Sequence, residues 1–242
     1  MKREVVITAD GSSTIHLPDW DEQYHSKHGA IQEAYHVFIK HGLHHFCHSE
    51  MNLLSDVTSS SVEKSHNLLN DDDISILEIG FGTGLNTFIT LLEAEKLNIN
   101  IDYFGVEAYP ISIDEIEQLN YPKQLQAEKN EALFNKLHQM SWGEKHAITS
   151  HLSLTKQKKF FNEIDDTDKF NLVYFDAFGA RVQPELWTES IFQKMYNALK
   201  TGGVLVTYSA KGSVRRAMQA VGFTVERLPG PPGKREMLRA VK

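Results

Sequence analysis

The stretch Leu77-Glu78-Ile79-Gly80-Phe81-Gly82-Thr83-Gly84-Leu85-Asn86-Thr87 sets three glycines at alternate positions behind an acidic residue and between two apolar runs. It reads as a strand, a glycine turn and a helix. Ile74, Ile76, Leu77 and Ile79 suit a buried strand, while Leu85, Phe88, Ile89 and Leu92 recur at helical spacing. Glycines between them let the backbone turn sharply and approach a ligand closely. The free N–H groups of the following helix favour an anionic group. A nucleotide-like ligand is expected at this turn.

Downstream, apolar β-like runs alternate with helical segments, the signature of a doubly wound α/β sheet. The pattern predicts strands near 74–79, 101–107, 146–152, 170–176, 203–208, 222–227 and 235–241, and helices near 84–96, 111–120, 124–138, 185–199 and 211–220. The last two strands flank Pro229-Gly230-Pro231-Pro232-Gly233, so a mostly parallel sheet of seven strands should end in an antiparallel hairpin. Upstream, Glu4–Ala9 and Ser13–Leu17 flank Asp10-Gly11, a strong hairpin signal that Pro18 terminates. Tyr24, Ile31, Tyr35, Phe38 and Ile39 then suggest a helical appendage, and Ser55–Asp73 reads as a polar connecting loop. The expected organisation is an N-terminal hairpin and helix over 1–54, the loop over 55–73, and the ligand-binding domain over 74–242.

With 242 residues and 41% hydrophobic content, the chain can bury one sizeable core. No apolar run approaches the roughly 18 residues of a membrane span. Met1-Lys2-Arg3 leads into a strand-like segment rather than a signal-peptide core, and the only cysteine, Cys47, forms no intrachain disulfide. A cytoplasmic address away from the membrane is expected. The net charge of −7 is uneven: residues 201–242 carry eight Lys/Arg against two Glu, or +6, leaving −13 on the rest. Such a patch either steers a polyanion to one face or is a solvated surface. His36, His41, His44, His45 and His48 crowd around Cys47, but no second cysteine or matched set of acids accompanies them. They read as a polar helix face, and no metal is expected.

Two further acids stand at strand ends. Glu107 follows the run Ile101–Val106, 27 positions beyond Gly80, where a carboxylate can accept hydrogen bonds from both ribose hydroxyls of a nucleoside; the competing role is a helix cap. Asp176 ends Leu172-Val173-Tyr174-Phe175 and is followed by Ala177-Phe178. It can orient and deprotonate a nucleophile, with Phe178 walling the site, or it can cap the next helix.

NAD sites favour G-x-G-x-x-G. Here the spacing is Glu78-x-Gly80-x-Gly82-x-Gly84, which resembles the first motif of class I S-adenosylmethionine-dependent methyltransferases; the terminal hairpin also resembles their Rossmann-like sheet. The implied cofactor site comprises Glu78, Gly80, Gly82, Gly84, Asn86, Glu107, Ala108, Asp176 and Phe178. Phe175-Asp176-Ala177-Phe178, Pro184-Glu185-Leu186-Trp187-Thr188, Val214-Arg215-Arg216, Ala220-Val221-Gly222-Phe223 and Gly233-Lys234-Arg235-Glu236-Met237-Leu238 are similar to the MnmC-type methyltransferases that complete 5-methylaminomethyl-2-thiouridine in tRNA. Tyr24-His25-Ser26, Glu33 and Val37-Phe38 extend the likeness to the N-terminal segment.

The resemblance implies methyl transfer from S-adenosylmethionine to the amine of 5-aminomethyl-uridine at the wobble position, with Asp176 as base. The tRNA anticodon stem-loop is the implied partner. Tyr24, Glu33, Phe178, Lys211, Arg215, Arg216, Lys234 and Arg235 are the implied substrate contacts. The flavin domain fused in bifunctional relatives is not expected. Two positions depart from the family pattern: Gly179-Ala180 replace Ala-Pro, and no acid stands near Leu154-Thr155-Lys156 to meet adenine. A different S-adenosylmethionine-dependent methyl or aminopropyl transferase, or a binding module without activity, remain the alternatives.

Overall fold

The structure, a computed structural model, describes residues 2–49 and 73–242. The expected polar loop therefore lies, but for Asp73, outside the described residues, as does the end of the N-terminal extension at 50–54.

The chain opens with β1 (Glu4–Ile7) and β2 (Ser13–Leu17), which pair antiparallel across the Asp10-Gly11 turn; β3 (Glu22–Gln23) adds to β2. A helix follows as α1 (Ala30–Ala34), continues with π-type winding over Tyr35–His44, and is α-helical again at 45–49. This winding alters the spacing on which a shared histidine face rested. His36 and His41 meet ring to ring at 4.8 Å, whereas His44 turns to Glu93 at 3.1 Å.

The central sheet contains β4 (Ile74–Ile79), β5 (Ile101–Val106), β6 (Lys145–Ala147), β7 (Leu152–Gln157), β8 (Phe170–Phe175), β9 (Leu199–Thr207), β10 (Thr224–Pro229) and β11 (Glu236–Val241). Their spatial order is β10-β11-β9-β8-β4-β5-β7-β6, parallel from β9 to β7 and antiparallel at both edges. Eight strands thus replace the seven expected. The segment predicted as one strand at 146–152 splits into the short edge strand β6 and the true parallel strand β7, which runs on through Lys156. That lysine interrupts an apolar pattern in sequence but is 1% exposed, because Nζ donates to the His138 carbonyl at 2.7 Å and lies 4.9 Å from the Trp142 ring.

Helices α2 (Leu85–Leu97), α3 (Ile113–Ile116), α4 (Tyr121–Gln124), α5 (Glu131–Gln139), α6 (Glu189–Ala198) and α7 (Gly212–Ala220) complete the two outer layers. The helix expected over 111–120 shrinks to α3, closed by a Ser112/Glu115 capping box, and Pro122 opens the separate turn α4. Strand side chains alternate between two cores, as a twofold repeat requires. Ile76, Tyr103, Leu154, Leu172 and Tyr174 pack against α1, α2 and α5. Leu77, Phe104, Val173, Phe175 and Leu205 pack against α6 and α7. Burial of both faces explains why these strands read as continuous apolar runs.

Candidate active site

The chain runs from β4 outward to β5 and β7, then returns to place β8 on the other side of β4. A ligand crevice forms at such a switch point, outside the carboxyl ends of the strands. Register makes Ile79 and Phe175 neighbours, and the Asp176 N–H donates to the Ile79 carbonyl at 2.9 Å. Gly80 and Asp176 therefore leave adjacent strands side by side.

Gly80, Gly82 and Gly84 all have positive φ, at 90°, 48° and 70°. A Cβ on Gly80 would stand 2.6 Å from the Asp176 carbonyl oxygen, and one on Gly82 would stand 3.0 Å from the Tyr24 ring. The alternate-glycine spacing is thus a requirement of both conformation and space. The turn opens on a cleft of about 1010 Å³. Of the residues assigned from sequence, Tyr24, Gly80, Gly82, Asn86, Glu107, Ala108, Asp176 and Phe178 line it.

Glu107 lies across the turn. Its Oε2 accepts from the Gly82 N–H at 3.1 Å and its Oε1 from the Tyr109 N–H at 2.8 Å. Each oxygen keeps further accepting capacity toward the cleft, as contact with ribose hydroxyls demands.

Glu78 sits behind the turn rather than in the cleft, a correction to its expected ligand contact. It is fully buried, accepting from Asn86 Nδ2 at 2.9 Å and Thr87 Oγ1 at 3.0 Å. Burial pushes its carboxyl up to about 8, against the pull of the Asn86 hydrogen bond. The other Asn86 amide hydrogen goes to Asp176 Oδ2 at 2.8 Å, so one side chain bridges two acids. Asp176 reaches the cleft surface, yet its protein surroundings push it up to about 7: desolvation first, then the charge of Glu33, opposed by Asn86 and Lys234. A carboxyl held near neutrality is suited to accepting and releasing a proton at physiological pH.

Phe178 meets two aromatic rings edge-on, Tyr24 at 4.9 Å and Trp20 at 5.8 Å. Two arginines tie the N-terminal extension over this cluster. Arg3 donates to the Tyr109 carbonyl at 2.7 Å, and Arg181 donates to the carbonyls of Asp21 at 2.7 Å and Trp20 at 3.1 Å.

Sequence reasoning missed Arg3, Trp20, His25, Thr83, Lys158 and Asn162, all in the cleft lining. The last two follow β7. Burial pushes His25 down to about 4, so it faces the cleft as neutral imidazole. Tyr24-His25 belongs to the N-terminal motif, but Trp20 and Arg3 carry no sequence pattern.

Gly84, Glu33, Lys211, Arg215, Arg216, Lys234 and Arg235 do not line the cleft. Four of the eight C-terminal cations are ion-paired: Arg227 with Glu236, Lys234 with Glu33, Arg239 with Glu226 and Lys242 with Asp168. Lys211, Arg215, Arg216 and Arg235 have no acidic partner among the described residues. Among the described residues no helix is long and apolar enough to cross a membrane, and no three His, Cys, Asp or Glu side chains gather as for a metal.

A glycine turn at the switch point with acids at two neighbouring strand ends is the arrangement of a ligand-binding doubly wound α/β protein. A family model described as S-adenosyl-L-methionine-dependent methyltransferase matches residues 118–242, just over half of the chain. The chain belongs to this family, and S-adenosylmethionine is its cofactor. Its sequence is similar to the tRNA 5-methylaminomethyl-2-thiouridine biosynthesis bifunctional protein MnmC of Leptospira borgpetersenii, at 30% identity over 90% of this chain and 32% of the relative. The MnmC of Cupriavidus metallidurans is 27% identical over 97% of this chain and 33% of the relative. The chain spans about a third of the length of these curated relatives. The crystal structure of MNMC2 from Aquifex aeolicus shares the fold, with a TM-score of 0.73 and 24% identity over 99% of this chain and 70% of that one.

The residues present fit the cofactor. Gly80, Gly82 and Glu107 line one cleft at the ends of β4 and β5. Asn86 adds a buried Oδ1 without a hydrogen-bond partner in the protein.

Proposed function

We propose that this chain methylates the primary amine of 5-aminomethyl-(2-thio)uridine at the wobble position of tRNA, giving 5-methylaminomethyl-(2-thio)uridine, in the cytoplasm. Similarity to the MnmC proteins supports the substrate. The placement of Asp176 beside the glycine turn, at the floor of a cleft walled by Trp20, Tyr24 and Phe178, carries the chemistry.

S-adenosylmethionine, when bound, supplies an activated methyl on its sulfonium. Glu107 and the Gly80–Gly84 turn would hold its nucleoside, with Ala108 and Asn86 alongside. An alkylamine titrates near about 10, so the acceptor arrives mostly as a cation. Asp176 binds that cation, accepts its proton and aims the freed lone pair. Asn86 fixes the carboxylate for this task from behind. Phe178, Tyr24 and Trp20 exclude water and present ring surface to positive charge. Holding the reactants in line supplies much of the acceleration, up to about 7–11 kcal/mol.

Lys211, Arg215, Arg216 and Arg235, lacking acidic partners among the described residues, contact phosphates of the anticodon stem-loop while the uridine is turned out into the cleft. The test is competition. Labelled methyl should pass to unmodified tRNA in preference to free diamines or polyamines; preference for a small amine would reject the RNA substrate.

A further inference from the structure

Glu33 and Lys234 lie 201 positions apart in sequence, on α1 and in the loop between β10 and β11, and form an ion pair. Lys234 keeps 30% of its side chain exposed, but its partner is buried. The Glu33 side chain is 7% exposed, and its other oxygen accepts from the Ser26 N–H at 2.8 Å. The Lys234 ammonium lies 3.7 Å from the centre of the Tyr208 ring, and the Tyr208 hydroxyl donates to the carbonyl of Ala177, next to Asp176, at 2.8 Å. The loop is built to deliver this lysine. Gly233 has φ 83°, and a Cβ there would collide with the His28 ring, so only glycine lets the hairpin close on the N-terminal segment. His36 adds a second tie, to the Pro229 carbonyl at 2.8 Å.

We propose that Glu33 and Lys234 are a positioning pair that governs Asp176 during methyl transfer, joining the N-terminal helix to the C-terminal hairpin, and that Lys234 is not a phosphate contact. Tyr208 links Lys234 to the strand end beside Asp176 and Asn86 links Glu78 to it, while Glu33 from α1, Lys234 from the hairpin loop and the hydroxyls of Tyr121 and Tyr208 are the titratable groups within electrostatic reach of the carboxyl. Of the charged groups, Lys234 favours the ionised form of Asp176 and Glu33 opposes it.

The inference rests on the role given to Asp176 above, but its test does not need the RNA. In the full-length chain, the carbon-13 carboxyl shift of Asp176 is followed against pH in wild type, Lys234→Met, Lys234→Arg and Glu33→Gln. Lys234→Met should raise the Asp176 midpoint and Glu33→Gln lower it, each by about half a pH unit or more, with Lys234→Arg close to wild type. Opposite shifts are not the outcome of a merely structural pair. If Lys234→Met does not fold, the downward shift in Glu33→Gln decides alone. Midpoints equal to wild type overturn the proposal. So does a drop in the salt dependence of tRNA binding by about one unit of slope in Lys234→Met, the mark of a lost phosphate contact. Absence of methyl transfer by the wild type would instead reject the substrate assignment and leave the titration result standing.

Discussion

The side-chain amide of Asn86 donates to Oδ2 of Asp176 at 2.8 Å while its second hydrogen holds Glu78. Replacing Asn86 by Ala leaves buried Glu78 and cleft-lining Asp176 each short of a donor, a loss of about 1–3 kcal/mol at the buried site. Asn86→Ala should therefore lower the urea midpoint by a corresponding amount and weaken S-adenosylmethionine binding by calorimetry. An unchanged midpoint would contradict the bridge.

Gly80 and Gly143 have nearly the same φ, 90° and 85°, but a Cβ on Gly80 meets the Asp176 carbonyl at 2.6 Å while one on Gly143 meets nothing within 4 Å. Gly143→Ala should cost only backbone strain, about 1 kcal/mol. Gly80→Ala should cost more and lose cofactor affinity at least about tenfold, or about 1.4 kcal/mol. Denaturation and cofactor titration of the two variants check this; equal effects would mean the close approach is irrelevant.

Glu78 gives stability a pH dependence whose sign is fixed. Its folded carboxyl titrates at about 8 against an ordinary 4.5, so between those values the native state holds a proton that the unfolded chain releases. Stability from this group is full below 4.5 and falls as pH rises to about 8. Glu78→Gln removes the dependence. The stability of wild type relative to Glu78→Gln, from urea melts at several pH values, should decline across this window; a flat difference would refute the burial argument.

Among the C-terminal cations, only those without acidic partners should bind RNA. Neutralising Lys211, Arg215 and Arg216 together should reduce the salt slope of tRNA binding by up to about 2–3, at roughly 0.7–0.9 per phosphate contact. Arg239→Ala, which removes a cation already bonded to Glu226 at 2.7 Å, should leave the slope unchanged. Filter binding over a salt series reads both.

The parts of the architecture legible in sequence are those fixed by local chemistry. The Gly80–Gly84 spacing, the apolar runs of β4, β5 and β8, and the Asp10-Gly11 and Pro229–Gly233 turns each dictate backbone conformation over a few residues. Lys156 hid β7 because its burial depends on Trp142 and the His138 carbonyl, contacts that the fold itself creates. Glu78 looked like a ligand contact and is a support, since strand alternation turns it inward, behind the turn. Arg3 and Trp20 reach the cleft through tertiary docking of the extension, which leaves no periodic trace. Lys234 read as one of a set of cations, and only the approach of α1 separates it from Arg235.

The most direct test of the account is the mass of the wobble nucleoside after tRNA lacking this modification is incubated with S-adenosylmethionine and either wild type or Asp176→Asn. Wild type should add one methyl to 5-aminomethyl-(2-thio)uridine. Asp176→Asn should do so about 10²–10⁴ times more slowly with S-adenosylmethionine affinity within about tenfold of wild type. No methyl on that nucleoside with wild type, or near-normal turnover in Asp176→Asn, would contradict it.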